Sequence, residues 1–203
     1  MEFTEKVISE CLQKALQEDG KHNESTANKV SKKNDLKCAA VIVPLFRIND
    51  EWNLLFTHRT ERVEHHKGQV SFPGGACEDN DSSPEKTALR EANEEIGILE
   101  QDIKVLGIMR NVITITGYRI TPVVGVLPWP YSFTPAPAEV SRLFSVPLKW
   151  ISDFSNWEIL PYKSSESSSV FSVIQYHPYA GEVIWGATAQ ILHNFLSVIG
   201  LLK

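Results

Sequence analysis

Apolar residues recur along this chain in two rhythms, and the changes between them mark its elements. Val7, Ile8, Cys11, Leu12, Ala15 and Leu16 fall on one helical face, so residues 5–16 are expected to form a packing helix. The polar stretch 20–35 then reads as a linker. Residues 38–46 (CAAVIVPLF) and 52–57 are apolar runs of strand length, with Asn49-Asp50 as the turn between them. A short strand over 69–72 leads into Gly74-Gly75. Further strands are expected at 103–109 and 118–127. Pro122 and Gly125 in the second imply an edge position or a bulge. Residues 128–137 are proline-rich and read as a loop. The spacing of Val140, Leu143 and Phe144 predicts a short helix over 138–144. Strands at 157–160 and 170–176 flank a serine-rich loop tip at 164–169. A last helix over about 187–199 buries Ile191, Leu192, Phe195, Leu196 and Ile199. Strands mixed with a few helices, and no internal repeat, suggest a mixed sheet between helical layers.

The helix that follows the two glycines is the best defined. Ser82 and Ser83 suit the N-cap, Pro84 the first turn, and Ser82 with Glu85 a capping box. Ala88, Leu89, Ala92 and Ile96 form its apolar face, and Gly97 stops it. Its other face is unusual. Glu91 and Glu95 stand four residues apart with Glu94 beside them, and like charges at that spacing cost roughly 0.2–0.5 kcal/mol per pair. Glu94 and Glu95 also occupy the last turn, where the helix dipole disfavours anions. A hard cation with oxygen ligands, such as Mg²⁺ shared with substrate phosphates, would account for that placement.

Composition narrows the classes. At 203 residues, with 42% hydrophobic and 22% charged residues, the chain suits one sizeable soluble domain. A net charge of −5 argues against a nucleic-acid binder that works by bulk electrostatics. Cys11, Cys38 and Cys77 are odd in number and lack a CxxC pair. They suggest a reducing compartment, no disulfide framework and no zinc site. No membrane span, signal peptide, mitochondrial presequence or peroxisomal Ser-Lys-Leu ending is legible, so an intracellular, cytoplasmic location is the default expectation, with peroxisome and mitochondrion as the alternatives. Residues 54–75 form a basic island, with Arg59, Arg62 and Lys67 interspersed with His58, His65 and His66. Beside a carboxylate site, such a cluster suits a substrate bearing several phosphates.

Residues 74–98 resemble the Nudix box: glycine, a loop, an acidic residue, then Arg-Glu-apolar-x-Glu-Glu-x-Gly-apolar, met by Arg90 through Ile98. The loop departs from the pattern. It puts 14 residues between Gly75 and Arg90, one more than is common, and Asp81 or Ser82 stands where a glutamate is usual. The preceding segment resembles the signature of coenzyme A diphosphatases within that superfamily. It is met by Leu54, Leu55, Thr57, Arg59, Thr60, Val63, His66, Gly68, Val70 and Phe72 to Gly75. Residues 184–189 (IWGATA) are similar to the start of that subfamily's last helix.

The resemblance implies an α/β fold, a Nudix-type α/β/α sandwich with a mixed β-sheet over residues 36–203, preceded by an N-terminal helix and linker over 1–35. It also implies metal-dependent hydrolysis of the diphosphate in coenzyme A and acyl-CoA, giving 3′,5′-ADP and (acyl-)4′-phosphopantetheine. Mg²⁺ or Mn²⁺ would sit on Glu91 and Glu95. Glu94 would act as base or third ligand, and Arg90 would hold a neighbouring carboxylate. Arg59, His66, Lys67, Gly74 and Gly75 would face the substrate. The alternatives are another nucleoside diphosphate derivative, such as ADP-ribose or a nucleoside triphosphate, and a non-catalytic nucleotide-binding domain.

Overall fold

The computed structural model describes residues 3–26, 36–60, 68–163 and 170–202, and the backbone alone over 19–26. In chain order the elements are α1 (Glu5–Thr26), β1 (Lys37–Ile48), β2 (Glu51–Arg59), β3 (Val70–Ser71), β4 (Gly74–Ala76) and α2 (Pro84–Ile96). Then come β5 (Lys104–Ile108), β6 (Val112–Ile113), β7 (Tyr118–Val126), β8 (Val140–Pro147) and α3 (Leu148–Ile151). The chain continues through β9 (Trp157–Lys163), β10 (Val170–Tyr176) and α4 (Gly186–Val198).

β1 and β2 form the centre of a mixed sheet. They pair antiparallel across a tight turn in which Asn49 and Asp50 have φ of 49° and 64°, the left-handed pair that such hairpins use. On its far side β1 runs parallel to β7, from Lys37 opposite Tyr118 to Leu45 opposite Val126. β8 closes the other side of β2. Where β1 and β2 diverge, the segment from Val70 to Ala76 wedges between them. β3 pairs with Thr57 and His58 of β2, then β4 crosses to pair with Ala39–Val41 of β1. This wedge carries the two glycines into the middle of the sheet.

Alternation along the strands sends side chains into two cores, which makes three layers. Val43, Leu45, Leu54, Phe56 and Val124 join Ile8 and Leu12 of α1 and Ile191, Leu192, Phe195 and Leu196 of α4. On the opposite face Ala40, Ile42, Phe46, Leu55 and Val123 pack under Ala88, Leu89, Ala92 and Ile96 of α2. The expected sandwich with a mixed sheet is therefore present. Among the described residues, no helix is long and apolar enough to cross a membrane.

Several local expectations are corrected. The first helix runs on to Thr26, into the stretch expected to be linker; residues 27–35 lie outside the described residues, as does the serine-rich tip at 164–169. Residues 140–147 are strand β8 rather than a helix, because seven partners on β2 offer the backbone a ladder that the helical spacing of three apolar residues cannot outweigh. β7 is internal rather than an edge. Its Pro122, which has no N–H to donate, falls between the residues that pair with β5 and those that pair with β6, and a bulge in β5 lies opposite Gly125 and Val124. Against the expectation of no disulfide framework, Cys38 and Cys77 form a disulfide with Cα atoms 5.4 Å apart. The β1–β4 ladder brings them together: Cys77 N–H donates to the Cys38 carbonyl at 3.0 Å, one step beyond the Ala39–Ala76 pair. Cys11 is free.

Candidate active site

α2 is held at both ends by its own sequence. Ser83, not Ser82, is the N-cap: its Oγ accepts from Lys86 N–H, and Pro84 opens the first turn. At the other end Gly97, at φ 72°, turns left-handed. Its N–H reaches the Asn93 carbonyl at 2.9 Å and Ile98 N–H the Ala92 carbonyl at 3.3 Å. A strap from the proline-rich segment supplies two further donors, Thr134 N–H to the Ile96 carbonyl at 2.9 Å and Ala136 N–H to the Glu95 carbonyl at 2.8 Å. The carbonyls that a helix end leaves unpaired are thus met by an irregular segment from outside the helix.

The acidic face is not simply solvated. Glu94 is exposed, but Glu91 is mostly buried and only 2% of Glu95 reaches solvent. Each oxygen of Glu95 has a donor. Oε1 accepts from Arg59 Nη1 and Oε2 from Gly74 N–H, both at 3.1 Å. Burial still dominates and pushes the Glu95 carboxyl up to about 7, against the pull of the Gly74 N–H and Arg59; Glu91 and Glu139 push it further the same way. Burial also raises Glu91, opposed by Arg90, with the charges of Glu94 and Glu139 adding to the rise.

Arg90 is the hub of a second group. Nε and Nη2 bind the two oxygens of Asp81 at 3.2 and 3.0 Å, and Nη2 also reaches the Ala76 carbonyl at 3.1 Å. Nη1 binds Glu91 Oε1 at 2.9 Å and Glu94 Oε2 at 3.1 Å. The Arg90 hydrogen bonds, helped by the Glu78 N–H, hold Asp81 far below the usual carboxylate range. Asp81 therefore ties the loop to the helix.

The two glycines are required by close approach. A Cβ on Gly74 would lie 2.4 Å from the Ala40 carbonyl oxygen, and one on Gly75 would lie 2.5 Å from Cδ of Glu91. The space that a side chain at 75 would need is filled by the Glu91 carboxylate, which packs directly against the glycine. The buried Glu95 and the partly buried Glu91, one helical turn apart on the same face, offer oxygen ligands that fit a hard divalent cation completing its shell with water and phosphate oxygens. Among the described residues, no three His, Cys, Asp or Glu side chains are gathered into a ready-made cage.

The structure thus joins Arg59, Gly74 and Glu95 in one group and Gly75, Arg90, Glu91 and Glu94 in another, along one face of α2. His66 and Lys67 lie outside the described residues. One acidic residue missed in the sequence is Glu139, whose charge is felt by both Glu91 and Glu95. Its carbonyl accepts from Thr60 N–H at 2.9 Å, which places it beside Arg59. The mistaken helix over 138–144 hid it, since only strand pairing with β2 brings residue 139 to the site.

The sheet, the box helix and the paired glycines define a Nudix domain, and comparison with known proteins agrees. The NUDIX domain family model matches residues 36–173, and the chain belongs to the Nudix hydrolases. Its relatives include proteins named Uncharacterized Nudix hydrolase NudL. The one from Escherichia coli (strain K12) is 37% identical over 164 residues, 80% of this chain and 83% of that protein. The one from Escherichia fergusonii is 36% identical over the same spans. Among solved structures, a MutT/nudix family protein from Enterococcus faecalis superposes with a TM-score of 0.53 at 15% identity, over 93% of this chain and 71% of that one, a likeness of fold.

Proposed function

We propose that this Nudix hydrolase cleaves the diphosphate of coenzyme A and acyl-CoA, releasing 3′,5′-ADP and 4′-phosphopantetheine or its acyl form, with Mg²⁺ or Mn²⁺ held by Glu91 and Glu95. The observation that supports it is the meeting of Arg59 with Glu95. Arg59 belongs to the segment that resembles the coenzyme A diphosphatase signature, and Glu95 to the box helix. A signature residue that reaches the box carboxylate stands where the phosphates of a substrate would lie. The catalytic unit in this reading is residues 36–203.

A bound divalent ion would neutralise the diphosphate and lower the pKa of a water molecule. The chain's own residues do the rest by positioning. Gly74 N–H fixes Glu95 Oε2, and Arg90 orients Glu91 and Glu94 through its Nη1. Glu94, the exposed member, is the base that takes the proton of the attacking water. Arg59, together with His66 and Lys67 of the signature, binds phosphate oxygens, a task suited to the forked guanidinium. The test is to compare turnover of coenzyme A with that of ADP-ribose under Mg²⁺ and Mn²⁺. Preferential cleavage of coenzyme A supports the reading. Cleavage of ADP-ribose alone would leave a Nudix hydrolase for another nucleoside diphosphate derivative.

A further inference from the structure

Two arginines face the carboxylates of α2, and they are held very differently. Every nitrogen of the Arg90 guanidinium is engaged, by Asp81, Glu91, Glu94 and the Ala76 carbonyl. Its role is fixed. Arg59 makes one contact with the helix, an end-on hydrogen bond from Nη1 to Glu95 Oε1. Its Nε is buried and has no partner among the described residues. A guanidinium carries five donors in a planar fork, and leaving a buried one unmet is unfavourable. Side-on pairing of the fork with two oxygens would satisfy it better, but Arg59 reaches Oε1 alone, and Oε2 of Glu95 accepts from Gly74 N–H instead.

The backbone around Arg59 has no such slack. Arg59 N–H donates to the Gln69 carbonyl at 3.0 Å and Thr60 N–H to the Glu139 carbonyl at 2.9 Å. Thr60 Oγ1 donates to the Ala138 carbonyl at 2.9 Å. Any rearrangement therefore falls to the side chain, which emerges where the β2–β8 register shifts between His58 and Arg59. Arg59 is about a fifth exposed, so its side chain is not sealed from solvent as Glu95 is.

We propose that Arg59 is a relay between the resting and the loaded site. In the resting protein its guanidinium is the counter-charge of Glu95. When a divalent cation takes Glu95, the guanidinium is released, and its unmet donors turn to the phosphate oxygens of the substrate. The inference rests on the reading of Glu91 and Glu95 as metal ligands. It adds that cation and Arg59 compete for one carboxylate, so that the phosphate clamp forms only once the metal is in place.

The competition has a signature that a purely structural role lacks: removing the arginine tightens metal binding. Mn²⁺ affinity is measured by electron paramagnetic resonance at pH 8.5 on wild type, Arg59→Gln, Arg59→Lys and Glu95→Gln, with a thermal melt of each. The binding of imidodiphosphate, a non-hydrolysable diphosphate, is then measured with and without Mn²⁺. Arg59→Gln is expected to bind Mn²⁺ roughly 5- to 20-fold more tightly than wild type, within the usual span of coupling between sites. Its Mn²⁺-dependent gain in imidodiphosphate affinity is expected to fall several-fold, to the part that the metal supplies by itself. Arg59→Lys, which keeps the charge and is the safer variant for folding, should bind Mn²⁺ like wild type and imidodiphosphate more weakly. Equal or weaker Mn²⁺ binding by a folded Arg59→Gln overturns the relay and leaves the metal site standing. If Arg59→Gln does not fold, imidodiphosphate binding by Arg59→Lys at the wild-type level overturns it. Equal Mn²⁺ binding by wild type and Glu95→Gln overturns the metal assignment itself, and the relay with it.

Discussion

Glu95 concentrates the physics of the site in one side chain. A carboxyl raised to about 7 by burial, from an ordinary value near 4.5, binds its proton more tightly in the folded than in the unfolded chain. Its contribution therefore favours the fold in acid and is lost as pH rises from about 4.5 through 7. On linkage grounds the change is at most about 3 kcal/mol, and Glu91 shifts in the same direction. A cation at the site reverses the preference, because it needs the ionised form. The metal-free protein should thus melt at a higher temperature at pH 5.5 than at pH 8, and saturating Mg²⁺ should raise the melting temperature much more at pH 8. A metal-free melting curve that rises steadily from pH 5 to pH 8 would contradict this account of Glu95. The sequence shows that three glutamates are crowded at a helix end, against the helix dipole. It does not show that Glu95 is the buried one, because burial comes from Arg59, Gly74 and a strap far away in the chain.

At the scale of elements, α2 was legible almost to the residue because its signals are local: Pro84, Gly97 and an apolar face at helical spacing. Strand β8 was not. Val140, Leu143 and Phe144 carry the spacing of a helix, and only the edge of β2 decides otherwise. The strap between β7 and β8 was legible as a loop, but not as a cap on α2. Its main-chain donors, Thr134 and Ala136, meet carbonyls of Ile96 and Glu95, and its Trp129 stacks on Phe46 with ring centroids 4.4 Å apart. Replacing Ala136 by Pro removes the donor to the Glu95 carbonyl and should cost about 1 kcal/mol, the usual net worth of one hydrogen bond. It should also lower kcat several-fold, because the last turn of α2 loses its clamp. A variant with a lower melting temperature but unchanged kcat would show that the strap stabilises the helix without aligning Glu95.

At the scale of the molecule, the apolar runs of β1 and β2 marked buried strands, and strands mixed with a few helices suggested a sheet between helical layers. The order of the strands was beyond that pattern, since neither the wedge of β3 and β4 between β1 and β2 nor the parallel pairing of β1 with β7 leaves a local trace. The disulfide between Cys38 and Cys77 went unseen for the same reason: its halves are 39 residues apart and meet only through the β1–β4 ladder. Closing a loop of that length is worth about 3–4 kcal/mol by chain entropy. Reduction with dithiothreitol should therefore lower the melting temperature by several degrees, and Cys77→Ser should match the reduced wild type. An unchanged melting temperature on reduction would mean that the bridge adds nothing to the fold.

The central claim joins two parts of this architecture, the box carboxylates and the signature arginine, into a site for the diphosphate of coenzyme A. Incubating wild type and Glu95→Gln with coenzyme A and Mg²⁺ or Mn²⁺, and separating the products by chromatography, tests it most directly. The account predicts 3′,5′-ADP and 4′-phosphopantetheine from wild type, and a rate at least about 100-fold lower from a folded Glu95→Gln. Equal rates for the two proteins, or no cleavage of coenzyme A by wild type, would contradict it.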